Sequence, residues 1–328
     1  MVSQLEMDSG IRSMTFSVEH SLLDETAHLA VWVFLPQGEV STNLPSLWCL
    51  AIPGASYSGL AYFDHSATPG YSMARYLASQ GIGVVVIDNL GTGASPLLTT
   101  PGRTLTREIL AELYSQIVDL LRLRLIQGTL CSDLAPVSRD LWIVGVGHSM
   151  GGYILSALQA LFAPFEATAF LGWTQGPWDE ALIETTGHSF KNLSEQHGYY
   201  SIHDRSFLRP FFYGEPLLCS QALIKADEEA QTAIPAGLFE GLLAQVARDI
   251  EHYAAKITCP VFLSFGACGD IAKNPREEGK WYASSDVTWL LQSQAAHCAN
   301  FASTRVWLWQ HLASWMRNRA EICLAGKF

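Results

Sequence analysis

Leu141-Trp-Ile-Val-Gly-Val-Gly-His-Ser-Met-Gly-Gly152 is the stretch whose reading decides the fold. The apolar run from Leu141 to Val146 carries no alternation, which suits a strand covered on both faces. Gly147-His148-Ser149-Met150-Gly151 follows with G-x-S-x-G spacing, and Tyr153 to Phe162 has helical spacing. Strand, sharp turn and helix form the context in which this motif carries chemistry. A serine hydroxyl is a weak nucleophile without a nearby base and a fixed geometry. Glycines at 147 and 151 let strand and helix approach closely. Ser149 is then presented above the sheet edge at a helix N-terminus, with the Met150 N–H directed to where an oxyanion would form.

The rest of the chain alternates strands and helices around that unit. Met14–His20 and His28–Leu35 read as an antiparallel hairpin. Leu47–Ile52 and Gly83–Asp88 are continuous apolar strands, and the polar stretch Ser41–Leu44 is a loop. Helices are expected over Tyr71–Ser79 and Leu105–Gln127, the latter with Leu110, Leu113, Ile117, Leu120, Leu121 and Leu125 at helical spacing. Ala167–Trp173, Pro260–Phe265 and Val287–Leu291 supply the remaining strands. Arg305–Ala320 is a closing helix with Trp307, Leu308, His311, Leu312 and Trp315 along one side. Residues 176–256 break the rhythm, with many aromatics and helical patches near 217–229 and 236–254. A strandless stretch this long is not a plain connection and reads as an inserted helical cap. The organisation is therefore α/β: a mostly parallel central sheet with helices on both faces, core segments 1–175 and 257–328, and a helical cap over 176–256.

In such sheets sites lie at the carboxyl ends of the strands. His297 follows the last strand and Asp270 the strand before it, which brings both to the edge that carries Ser149. The order Ser, Asp, His fits a nucleophile, an orienting acid and a base. Asp179 is the alternative acid. Asp88 ends a strand that precedes the nucleophile, and its expected task is to hold the Gly91/Gly93 loop by backbone hydrogen bonds. His148 belongs to the turn, His311 to a helix, and His188, His197, His203 and His252 to the insertion. The second oxyanion donor should come from Pro53-Gly54-Ala55, with Ala55 N–H first and Ser56 N–H next. Tyr57, Trp173, Trp178, Phe211, Phe212 and Tyr213 are candidate substrate-pocket walls, with core packing as the competing reading for each.

These residues resemble the α/β-hydrolase superfamily. The resemblance rests on Gly147-His-Ser149-Met-Gly-Gly152, the Pro53-Gly54 loop, Asp270, His297 and Asp88-Asn-Leu-Gly91-Thr-Gly93-Ala-Ser95, which is similar to the superfamily's D-x-x-G-x-G-x-S loop. It spans about residues 14–318. Pro53 stands where the family often has His, which leaves the backbone donor intact. Dehalogenases and epoxide hydrolases of this superfamily carry an aspartate at the elbow, so Ser149 points to the capped esterase, lactonase and thioesterase-like branch. The resemblance implies cleavage of an ester, lactone or thioester through an acyl-enzyme, and the aromatic insertion implies a bulky apolar substrate. A water-excluding cyclisation, condensation or C–C cleavage, as in natural-product metabolism, would use the same residues. A non-catalytic ligand-binding protein is the reading from another class.

Composition narrows the partners. The chain has 328 residues, 49% hydrophobic and 16% charged, with net charge −11 and no basic stripe, so nucleic acid is not expected. Met1–Gly10 has no apolar signal region and no run is long enough for a membrane span. Seven scattered cysteines without a C-x-x-C suit free thiols in a reducing cytoplasm, and no spacing suggests a metal site. A redox bridge between Cys268 and Cys298 competes with buried free thiols. No cofactor is expected. The aromatic Trp307/Trp315 helix is expected to bury either against its own sheet or in a homodimer.

Overall fold

The computed structural model describes residues 11–38, 45–65, 68–137, 140–180, 182, 193–246 and 253–325. The expected loop Ser41–Leu44, Phe190, His188 and His252 lie outside the described residues.

Eight strands make the central sheet: β1 Ile11–Val18, β2 Ala27–Phe34, β3 Ser46–Ile52, β4 Gly83–Ile87, β5 Leu141–His148, β6 Ala167–Leu171, β10 Val261–Gly266 and β11 Val287–Gln292. Their order is β1-β2-β4-β3-β5-β6-β10-β11, antiparallel from β1 through β4 and parallel thereafter. Every residue of β4, β5, β6 and β10 is buried. That accounts for the unbroken apolar run of β4 and of Leu141–Val146 in β5, since helices cover both faces of a parallel sheet.

The helices α1 Gly59–Phe63, α2 Met73–Ser79, α3 Arg107–Gln127, α4 Met150–Phe162 and α8 Arg305–Ala325 belong to the core. On one face, Leu110, Leu113 and Ile117 of α3 and Ile154 and Leu158 of α4 pack in one apolar cluster with Val85 and Ile143 of the sheet. On the other, Leu77 of α2 and Leu308 and Leu312 of α8 pack with Val84, Val144 and Phe262. α3 is stopped by Gly128 at φ 67, where a left-handed residue is needed and glycine carries no Cβ penalty. α8 turns differently from the expected stripe. Trp315 is buried against Phe262 of its own sheet, whereas Trp307 and His311 lie outside, their tilted rings in contact at 4.3 Å.

The segment between β6 and β10 is not purely helical, contrary to expectation. It holds α5 Arg209–Tyr213, α6 Gln221–Glu229 and α7 Ala236–Val246, but also a small antiparallel sheet of β7 Leu193–Gln196, β8 Tyr199–Ile202 and β9 Ile234–Pro235. β7 and β8 are joined by His197 and Gly198, both at positive φ (52° and 77°), the backbone that a two-residue hairpin turn demands. This hairpin is stitched to the core. His197 O accepts from Gly102 N–H, the Ala236 and Gly237 N–H groups bond Gly198 O and Gly102 O, and Arg103 pairs with Glu195 and Glu240. Among the described residues no helix is long and apolar enough to cross a membrane.

Candidate active site

The parallel register carries the site together. Ile52 at the end of β3 lies opposite Gly147 of β5, His148 opposite Leu171 of β6, and Gly266 of β10 opposite Gln292 of β11. The loops holding Ala55, Ser149, Asp270 and His297 therefore leave one edge of the sheet.

Ser149 is the turn itself. It sits at φ 50 and ψ −118, a conformation that side-chain-bearing residues rarely adopt, between β5 and the first residue of α4. Its N–H donates to Leu171 O of β6 at 2.9 Å and its carbonyl accepts from Tyr153 N–H of α4, so β6 and α4 hold the strained residue. A Cβ on Gly147 would stand 2.6 Å from Gly151 O, and one on Gly54 would stand 3.2 Å from the Ser149 Cβ. Glycine at these two positions is what lets the three loops meet.

The Ser149 hydroxyl reaches His297 Nε2 at 2.8 Å, and His297 Nδ1 reaches Asp270 Oδ1 at 2.7 Å. The carboxylate fixes the tautomer: Nδ1–H donates to Asp270 and Nε2 accepts from Ser149. Asp270 is held in turn by Gly266 N–H at 2.8 Å and Ile271 N–H at 2.7 Å. Asp270 and His297 are buried, and Phe211 stacks on the imidazole at 4.3 Å. The alternative acid, Asp179, lines a depression of about 470 Å³ that Phe211 and Asp270 also line, while Asp270 is the one bonded to His297.

His148 is buried beneath this arrangement, stacked 3.8 Å from Tyr62, with Nε2–H directed at His297 O at 3.2 Å. Burial, with His297 beside it, pushes its pKa well below the ordinary range, so it stays neutral and supports the His297 loop. Asp88 bonds Gly59 N–H and Ala94 N–H, both at 2.6 Å, and thereby ties α1 to the Gly91/Gly93 loop.

Above Ser149 lies a cavity of about 90 Å³. Of the candidate wall residues, Tyr57, Trp178, Phe211 and Phe212 line it, and so does Ala55, the expected oxyanion donor. Trp173 and Tyr213 do not. Trp173 fills the space over Gly152, where an added Cβ would lie 2.5 Å from the indole's own Cβ, and Tyr213 turns its hydroxyl to the buried Asp227. The sequence reading missed the aliphatic walls Leu208, Ile234 and Leu242 and the ring of Phe239. The apolar pattern of 236–246 was visible as a helix, but its facing was not. Met150 lies at the start of α4, outside the cavity lining. Neither Ala55 N–H nor Met150 N–H donates to a partner among the described residues. Cys268 is exposed and Cys298 buried, both as free thiols. Among the described residues no three His, Cys, Asp or Glu side chains gather as a metal ion would require.

Residues 49–321 match the family model described as "Alpha/beta hydrolase family". No curated protein matches the chain. Among solved structures, it is similar to a thermophilic esterase from Thermogutta terrifontis, with TM-score 0.63 and 17% identity over 94% of this chain and 99% of that one. It is also similar to a monoacylglycerol lipase from Paleococcus ferrophilus, with TM-score 0.57 and 16% identity over 89% and 99% of the two chains. A protein described as an epoxide hydrolase from Pseudomonas aeruginosa gives TM-score 0.60 and 17% identity over 94% and 97%.

Proposed function

The chain belongs to the alpha/beta hydrolase family, and from that premise we propose that it is a serine hydrolase cleaving an ester-type bond, whether ester, lactone or thioester, through an acyl-enzyme. The observation that carries this reading is the hydrogen-bond chain Asp270–His297–Ser149, which ends at an otherwise largely apolar cavity. In the proposed reaction His297 Nε2 takes the Ser149 proton as Oγ attacks the carbonyl carbon. Asp270 stabilises the imidazolium that forms, and the N–H groups of Ala55 and Met150 receive the oxyanion. His297 then protonates the leaving group, and a water activated by the same nitrogen releases the acid. The serine at the elbow argues against an epoxide hydrolase reading, because the superfamily's epoxide hydrolases place an aspartate there.

The insertion over 176–256 serves as the cap in this proposal, closing the cavity from above Ser149. Its walls select an apolar acyl or alcohol group. At about 90 Å³ the cavity is smaller than the ~150 Å³ that holds a benzene. The preferred group is therefore a short chain rather than the bulky one that aromatic content suggested. The six free cysteines among the described residues suit a reducing, cytoplasmic setting as part of the same proposal.

Hydrolysis of p-nitrophenyl esters of graded chain length, by wild type and Ser149→Ala, tests the reading. The expected result is turnover of short acyl esters that the variant loses. Equal turnover by both proteins would contradict it.

A further inference from the structure

Ser56, next to the proposed oxyanion donor Ala55, stands at φ 61 without being a glycine. Such a residue persists only where its surroundings over-determine it. Here the surroundings come from the insertion. Ser56 O accepts from Thr232 N–H at 2.9 Å, and Ser56 Oγ accepts from Arg205 Nη1 at 3.1 Å. The adjoining Tyr57 donates its hydroxyl to Asp227 at 2.9 Å and lies beneath the Arg205 guanidinium at 4.9 Å. Arg205 is itself paired with Asp227 and bonds the Asp227 carbonyl at 3.1 Å. Both ionic side chains are at most 1% exposed.

A buried ion pair is weak evidence for stability, since apolar residues of similar volume often serve as well. What this pair does supply is direction. Arginine's fork reaches Asp227 with one nitrogen and Ser56 with another, a geometry a lysine cannot reproduce. The same cluster extends to the base. Tyr57 OH contacts Cys298 Sγ at 3.3 Å, and the N–H groups of His297 and Cys298 donate to the carbonyls of Phe211 and Phe212 in α5.

We infer that Arg205, anchored by Asp227, is a positioning residue that holds the Ser56–Tyr57 turn, so that the oxyanion hole is complete only while the insertion is seated. This rests on the hydrolase reading of Ser149. If Arg205 lets go, Ser56 relaxes toward negative φ, the Ala55–Ser56 peptide swings, and the donors leave the oxyanion position. Ground-state binding rests chiefly on the apolar walls Leu208, Phe211, Ile234, Phe239 and Leu242, which lie outside that turn.

The test compares wild type, Arg205→Lys and the charge-neutral pair Arg205→Met with Asp227→Asn, which removes the fork without stranding a buried carboxylate. Two inhibitors of one alkyl chain are used: a trifluoromethyl ketone, whose serine adduct carries an oxyanion, and the corresponding alcohol, which has none. Expected in both variants is a fall in kcat and in ketone affinity on the order of a hundredfold, with KM and alcohol affinity within about threefold. Amide hydrogen exchange should quicken in the peptide spanning 53–60. Variants that keep wild-type kcat and ketone affinity, or that lose ketone and alcohol affinity in equal measure, overturn the inference alone. A wild type inert to both esters and the ketone overturns the hydrolase reading, and this inference with it.

Discussion

Asp270→Asn exchanges one carboxylate oxygen for an NH2 group and probes the site where its parts are most closely coupled. Asp270 Oδ1 serves two donors, His297 Nδ1–H and Ile271 N–H, and Oδ2 serves Gly266 N–H. An asparagine has one oxygen to offer. With the amide oxygen toward His297, the tautomer survives, but its NH2 faces the Gly266 N–H and the charge that stabilises the imidazolium is gone. With the amide reversed, NH2 faces His297 Nδ1 and Ile271 N–H. The ring must then carry its proton on Nε2, where it faces Ser149 as a donor and cannot accept the hydroxyl proton. Either orientation leaves one buried backbone donor unmatched, at a stability cost of about 1–3 kcal/mol, and both strike the same catalytic step. The expected loss in kcat is on the order of 10⁴-fold, as for the same exchange in other Ser-His-Asp sites, or about 5 kcal/mol of barrier. Steady-state hydrolysis of a short p-nitrophenyl ester measures it, with a melting curve to show that the variant is folded. A folded variant within about tenfold of wild type would refute the role given to Asp270.

Two further outcomes follow from buried groups. Glu278 accepts from Thr174 Oγ1 at 2.6 Å and from Gln175 N–H in the loop after β6, and burial pushes its pKa up to about 7 against these donors. Because the folded value lies above the unfolded one near 4.5, the folded state holds this proton more tightly and stability falls as pH rises from about 4.5 to about 7. Relative to Glu278→Gln, which cannot ionise, wild type should lose on the order of 3 kcal/mol across that window; urea unfolding at its two ends checks this, and a pH-independent difference would refute it. Leu242→Ala should deepen the cavity, raise kcat/KM for longer acyl esters relative to short ones, and cost about 2–3 kcal/mol of stability; an unchanged chain-length profile would place the acyl group elsewhere.

Much of this architecture is legible in the sequence because burial on both faces writes itself as unbroken apolar runs, as in Gly83–Ile87 and Leu141–Val146. Ser149, Asp270 and His297 are legible for a related reason. Each follows a strand end, and a parallel sheet sends all such ends to one edge. The hairpin Leu193–Ile202 was missed because its first strand is mostly exposed and polar, so only the His197-Gly198 turn could have revealed it. Aromatic content could not separate Trp178 and Phe211, which face the cavity, from Trp173 and Tyr213, which do not, because composition carries no orientation. Nothing in the sequence around Arg205 and Asp227 marks them as buried partners. Their burial arises only when the insertion folds onto the Ser56–Tyr57 turn.

The central claim is that His297 and Asp270 activate Ser149 as a nucleophile beneath an apolar cavity. Fluorophosphonate labelling of wild type and Ser149→Ala, with the modified peptide sequenced, tests it most directly. One label on Ser149, lost in the variant, is the predicted result. A folded wild type that takes up no label, or takes it up at a residue other than Ser149, would contradict the account.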